Sequence, residues 1–258
     1  MMARIPLHPD FLSIPIAHRG YHDAALRRPE NSLSAFRAAI GAGYGIELDV
    51  QLTADGKALV FHDETLDRMT AERGAVVVLA AAVLGTMRLR DSDDFIPTLP
   101  EVLALVAGRV PVLIEIKDQM DTMAQTSGKL EAAVAAALAG YDGPVAVMSF
   151  NPHCVAHMAS LAPLVARGLT TEAYDPQVNA PIPAETCARL RDIPDFDTTG
   201  CSFISHQASD LDRPRVTVLK SQGAAVLCWT IRSPEAEASA RKFAQNITFE
   251  GYAPPLGA

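Results

Sequence analysis

Four short pairings in this chain combine residue types that do chemistry: His18-Arg19, Glu47-x-Asp49, His62-Asp63 and Glu115-x-Lys117. Side chains two apart on a strand share a face, so Glu47 projects with Asp49 and Glu115 with Lys117. Three carboxylates, Glu47, Asp49 and Glu115, with no Cys nearby make a hard oxygen site, which suits one divalent cation, Mg2+ or Ca2+, rather than Zn2+. Arg19 and Lys117 suit an anion that also touches the cation, such as a phosphate. His18 and His62 are left without a ligand role. Imidazoles titrate near neutrality, so a pair on opposite sides of a phosphorus centre can serve as base and acid. The set reads as metal-assisted phosphodiester cleavage. Each residue alone has a bland reading: Glu115 as half of a salt bridge, Lys117 as a solvated strand end, His18 as a satisfied core imidazole. Their joint placement outweighs those readings.

That placement depends on the elements that carry the residues. The stretch GIELDVQLTADGKALVFHDET, 45–65, reads as a hairpin, because Asp-Gly between two apolar runs is a strong turn signal. Taking Asp55-Gly56 as a two-residue loop sets Ala54 opposite Lys57 and Asp49 opposite His62. Gathered carboxylates and an imidazole cost stability unless compensated, and a bound cation compensates them.

With the hairpin's return arm treated as an excursion, eight apolar runs read as strands: 14–18, 45–50, 110–117, 144–150, 166–171, 202–206, 224–231 and 246–251. Helical patterns alternate with them. NSLSAFRAAIGAG opens on an Asn cap, and TLPEVLALVAG, KLEAAVAAALAG, NPHCVAHMASLA, RPRVTVLKSQG and SPEAEASARKFAQ follow. Eight strand–helix units in 258 residues predict an α/β fold, a (β/α)8 TIM barrel. Residues 64–97 fit the alternation worst and read as a small insertion after the second-strand hairpin, a lobe or lid beside the site. No linker divides the chain, so residues 1–258 read as a single domain. A doubly wound sheet is the fallback, but no Gly-rich phosphate loop follows any strand. Strand ends of a β/α barrel meet at one mouth, which would hold the four pairings together with Phe150 and Trp229.

The composition is 49% hydrophobic and 20% charged, with a net charge of −8, and no basic stripe points to nucleic acid. The longest apolar stretch, 75–85, is too short to span a bilayer, and the N-terminal segment does not read as a signal peptide. Four scattered Cys without a CxxC predict reduced thiols and a cytoplasmic setting.

With these residues in view, the sequence resembles the glycerophosphodiester phosphodiesterase family. Its signature of His-Arg, Glu-x-Asp and His is matched by AHRG, IELDV and FHD, and PENSLSAF, TLPEVL, IEIK, SFNP and CWTI follow in family order over residues 14–232. The resemblance implies a TIM barrel with an insertion, a cation on Glu47, Asp49 and Glu115, and His18 and His62 as the acid/base pair. It implies Arg19 and Lys117 near the phosphate, and Phe150 and Trp229 as walls for a glycerol backbone. The small-molecule substrate would be a glycerophosphodiester, cleaved to sn-glycerol 3-phosphate and an alcohol through a cyclic phosphate. Three departures bear on the leaving-group pocket: eight residues separate Gly20 from Pro29, Ser32 stands where Thr is common, and the last strand ends in Glu250 rather than Thr-Asp. Rival readings are a C–N metal hydrolase, which would want His-x-His at the first strand; a non-catalytic phosphodiester binder, which would need no acid/base couple; and a lysophospholipase D-like or phospholipase C-like enzyme, which would differ only in pocket lining.

Overall fold

A computed structural model describes residues 4–257. Nine strands form one sheet: β1 (Ile16–Ala17), β2 (Gly45–Leu52), β3 (Ala58–Val60), β4 (Val112–Ile116), β5 (Val145–Ser149), β6 (Ala166–Thr171), β7 (Phe203–Gln207), β8 (Ala225–Ile231) and β9 (Asn246–Phe249). Every neighbouring pair is parallel except β2 with β3, and β1 pairs with both β2 and β9. The sheet therefore closes into an eight-stranded parallel barrel with β3 as an outlying antiparallel arm, and helices follow the strands around it: a (β/α)8 barrel.

Closure buries both faces of the strands. The outward set Ile46, Leu48, Val50, Val112, Ile114 and Ile116 packs under helices, including Leu33–Ala42 and Leu99–Val106. The inward set Ile16, Leu113, Ala146, Met148, Phe203 and Leu227 fills the barrel floor, and Phe11 of a short N-terminal helix, Asp10–Ser13, joins that cluster. Gly168 is the small member of this layer; a Cβ there would lie 2.5 Å from the Phe203 ring. With the floor filled by apolar side chains, the inward positions nearer the strand C-termini are left for Glu47, Asp49 and Glu115.

Two local expectations are corrected. The hairpin loop holds three residues, not two: Thr53 faces Lys57, with Ala54-Asp55-Gly56 between them. A two-residue type I′ turn needs positive φ at both central residues. Here only Gly56 is left-handed, at φ +73°, so the chain makes an ordinary turn followed by a glycine bulge. The pairing runs Val50–Val60 and Gln51–Leu59, so Phe61, not His62, lies opposite Asp49, and its N–H donates to the Asp49 carbonyl at 3.0 Å. The cap of the Leu33–Ala42 helix is Ser32, whose Oγ accepts from Ala35 N–H, while Asn31 is occupied elsewhere. Helices Asp10–Ser13 and Ala184–Arg191 lie outside the sequence-stretches expected to be helical.

Between β3 and the Leu99–Val106 helix, residues 64–97 pack an apolar cluster of their own from Leu66, Val76, Leu84, Leu89 and Ile96 against Leu59 and Phe61. Only one short helix, Ala81–Leu84, and one 3-10 turn, Val76–Val78, are regular there. No helix among the described residues is long and apolar enough to cross a membrane.

Candidate active site

β1 delivers His18 and Arg19 to the mouth of the barrel, where Arg19 takes a left-handed turn at φ +53°. That turn directs the Arg19 backbone N–H to Glu47 Oε2 at 2.9 Å. β2 and β4 run in register with Asp49 beside Glu115, so the inward carboxylates of two neighbouring strands become adjacent. Glu47, Asp49 and Glu115 each offer an oxygen, all within 4.8 Å of one another, and all three side chains are buried. Lys117 Nζ bonds Glu115 at 2.9 Å and reaches Asp49 at 3.5 Å. His62 enters just past the end of β3, its backbone carbonyl held by Gln51 Nε2 at 2.9 Å. The one-residue difference in register does not remove it from the site, because the chain leaves the ladder after the Phe61 bond to Asp49.

The nine expected side chains, His18, Arg19, Glu47, Asp49, His62, Glu115, Lys117, Phe150 and Trp229, line one cavity of about 250 Å³, with Met148, Thr230, Arg232 and Thr248 completing its wall. Phe150 and Trp229 meet edge to face at 5.5 Å, and the Trp229 indole N–H is anchored on the Ser205 carbonyl at 2.9 Å.

Most partners behind these residues, Asp63 excepted, escape the sequence reading. Asn31, also left-handed, donates Nδ2–H to Asp49 Oδ2 at 2.9 Å. Glu250 Oε2 lies 2.6 Å from His18 Nδ1, and Asp63 Oδ1 lies 2.8 Å from His62 Nδ1. Arg68 grips Asp63 and Glu30 together, at 2.7 and 2.6 Å, and Glu30 in turn takes Arg19 at 2.8 Å. A continuous polar chain thus runs His62–Asp63–Arg68–Glu30–Arg19. Glu30 was visible only as part of PENS, Asn31 only as a helix cap, and Glu250 only as an unusual strand ending. Nothing local ties Glu30 to Arg68, Asn31 to Asp49, or Glu250 to His18.

The charges in this site do not balance evenly. Burial, then Asp49 and Glu115, push the Glu47 carboxyl well above its ordinary range. Burial also opposes ionisation of Asp49, but Lys117, His62 and Arg19 outweigh it and hold Asp49 well below that range. For Lys117 the burial penalty is overcome by Glu115 and Asp49, and its ammonium is held above the ordinary lysine value. Burial lowers the His62 imidazole, which favours its neutral form. A buried trio with one member resisting ionisation fits a small hard cation: three oxygens converge, and added positive charge removes the penalty on Glu47.

Comparison with known proteins agrees with this geometry. The profile of the glycerophosphoryl diester phosphodiesterase family matches residues 18–247. A glycerophosphodiester phosphodiesterase of Caldanaerobacter subterraneus subsp. tengcongensis is 34% identical over 165 residues, covering 61% of this chain and 66% of that protein, just under two thirds of its length. A phosphodiesterase of Oleispira antarctica, solved in complex with the product sn-glycerol-3-phosphate, superposes with a TM-score of 0.75 at 25% identity over 93% of each chain. A glycerophosphodiester phosphodiesterase of Agrobacterium tumefaciens gives 0.67 at 25% identity, over 92% of this chain and 96% of that one. The fold, the order of the motifs and the family match concur, and this chain belongs to the glycerophosphoryl diester phosphodiesterase family.

Proposed function

We propose that the chain hydrolyses glycerophosphodiesters to sn-glycerol 3-phosphate and an alcohol, with a divalent cation, Mg2+ or Ca2+, held by Glu47, Asp49 and Glu115. One observation carries the reading. Two imidazoles, each backed at Nδ1 by a carboxylate, share one cavity with the acid trio, Arg19 and Lys117. Family membership and the product bound to the Oleispira relative support it.

An ionised carboxylate only accepts hydrogen bonds. Glu250 and Asp63, both held below the ordinary carboxylate range, therefore fix a proton on each Nδ1 and leave each Nε2 free to exchange one. One His takes the proton of the glycerol 2-hydroxyl as that oxygen attacks phosphorus. The other delivers a proton to the departing alcohol oxygen. The five-membered cyclic phosphate so formed is opened by water with the two roles exchanged, giving sn-glycerol 3-phosphate. Arg19 and Lys117 hold the non-bridging oxygens and balance the charge that grows on them. A divalent cation held by Glu47, Asp49 and Glu115 would supply Lewis-acid polarisation. Phe150 and Trp229 present apolar walls to the glycerol carbons. Positioned acid/base groups of this kind each contribute roughly 10²–10⁴ in rate. The four cysteines are free and buried, which supports a reducing, cytoplasmic setting.

The test is release of sn-glycerol 3-phosphate from glycerophosphocholine and glycerophosphoethanolamine, with Mg2+, with Ca2+ and with EDTA. Cation-dependent release is expected. Release that persists undiminished in EDTA would remove the cation from the reaction, and no release from either diester would remove the reaction itself.

A further inference from the structure

Beside the His18–Arg19 edge of the active site opens a second cleft of about 360 Å³, whose lining includes His22, Arg27, Arg28, Glu30, Arg68, Arg90 and Asp91. Four guanidiniums and two carboxylates line it, in a chain whose net charge is −8, and Arg68 is already paired with Asp63 as well as Glu30. Glu30 is already engaged by Arg19 and Arg68. Arg27 spends its Nε–H on the Asp91 backbone carbonyl at 3.0 Å. Arg90 spends its Nε and Nη2 donors, but not Nη1, on the carbonyls of Arg68, Asp67 and Thr70. A carbonyl satisfies a donor but leaves the charge in place, and neither Arg27 nor Arg90 has a carboxylate in ion-pair reach among the described residues. Arg28 lies over the Tyr21 ring at 5.4 Å and comes only within 4.0 Å of Asp23. Its Nε is buried without a hydrogen-bond partner. Like charges drawn together from the 21–30 loop and from the 64–97 segment repel one another unless an anion sits among them.

The cleft touches the site already described at two points. His22 Nε2 lies 3.7 Å from Glu250 Oε2, the oxygen that holds His18. Glu30 holds Arg19 at 2.8 Å. The opposite flank of the mouth, beside Lys117, carries Glu64, Asp118 and Asp121 and would repel an anion. The loop that supplies Arg27 and Arg28 is the unusually spaced stretch between Gly20 and Pro29.

We propose that this arginine cleft is the subsite for the leaving alcohol and selects an alcohol that carries its own phosphate monoester; this rests on the hydrolase reading above. Guanidiniums form paired, charge-assisted hydrogen bonds with a phosphate dianion, and the carbonyl contacts hold Arg27 and Arg90 in place for it without neutralising them.

Two measurements test it at fixed ionic strength, on the full chain and on Arg27→Glu and Arg28→Gln. The first compares kcat/KM for glycerophosphoinositol 4-phosphate with that for glycerophosphoinositol. The unaltered chain should favour the phosphorylated diester by roughly tenfold or more, and both variants should lose that preference while keeping their rate on glycerophosphoinositol. The second titrates inositol 4-phosphate, and separately inorganic phosphate, into the chain in EDTA by calorimetry. Inositol 4-phosphate should bind the unaltered chain and bind Arg27→Glu at least tenfold more weakly. Equal kcat/KM for the two diesters, or equal binding by the variants, overturns the subsite. Inorganic phosphate binding as tightly as inositol 4-phosphate would make the cleft a free-anion site and overturn the leaving-group assignment. Hydrolysis of neither inositol diester nor glycerophosphocholine defeats the hydrolase reading and the leaving-group role with it, while the calorimetry still decides whether the cleft holds an alcohol phosphate.

Discussion

Glu250 Oε2 stands 2.6 Å from His18 Nδ1, though 232 positions separate the two residues. They meet because β1 pairs with β9 where the barrel closes, with Ala17 beside Phe249. Arg232 steadies the other Glu250 oxygen at 2.7 Å. His62 has the corresponding carboxylate next to it in sequence, at Asp63. The site thus builds the same His–carboxylate couple twice, once by local chain geometry and once by barrel closure.

Replacing His18 or His62 by Ala should lower kcat by about 10²–10⁴ with circular dichroism and Tm close to those of the unaltered chain. Glu250→Ala should cost less, since it frees the ring without removing it, and Glu250→Asp should recover part of the loss. If Glu250→Ala turns over at the full rate, the carboxylate does not position His18.

Glu47→Gln separates the cost of the acid trio from its use. Burial and two neighbouring carboxylates push the Glu47 carboxyl up, so neutralising it removes repulsion. In EDTA the variant should melt no lower than the unaltered chain. With Mg2+ or Ca2+ added, only the unaltered chain should gain Tm, and the variant should lose activity. Calorimetric melts in both media check this. A variant that gains as much from the cation as the parent would show that Glu47 is not a ligand.

The Asp63 carboxyl is lowered to about 2: burial opposes its ionisation, but the Arg68 and His62 hydrogen bonds outweigh that penalty. A group with a depressed folded pKa stabilises the fold above its unfolded value and loses that contribution as pH falls toward the folded one. Asp63→Asn should therefore melt below the parent at pH 7, and the gap should close as pH is taken from 5 down toward about 2. A gap that stays constant over that range would mean Asp63 acts through packing rather than charge.

Burial lowers the His62 imidazole below the ordinary histidine value of about 6.5. Resolved by NMR, its ring should titrate below that value in the metal-free chain, and Lys117→Met should bring the titration back up, because the nearby ammonium opposes a second positive charge. A His62 titration at or above 6.5 contradicts the environment described here.

Gly168→Ala tests the barrel floor away from the chemistry. A Cβ would sit 2.5 Å from the Phe203 ring, inside a close-packed layer. Overpacking of this kind costs about 1–3 kcal/mol, read as a lowered Tm with kcat unchanged once the chain is folded. An unchanged Tm would show that the Phe203 layer can yield.

That nine side chains would share one cavity was legible in the chain because they lie on short motifs whose periodicity is local. Inward parity along β2 and β4 follows from alternation alone, and strand–helix alternation implies that the strand ends share a mouth. The hairpin loop was misjudged because Asp-Gly permits more than one turn, and the choice depends on which residues go left-handed. Asn31 reads locally as a helix cap, yet its left-handed backbone turns its amide onto Asp49 and leaves the cap to Ser32. Glu250 on His18, Arg68 across Asp63 and Glu30, and the arginine cleft formed from two separated segments were decided only by tertiary structure. Hydrogen bonds and ion pairs act over a few Å of space, and sequence periodicity carries no record of which distant strand ends, or which loops, barrel closure will bring within that range.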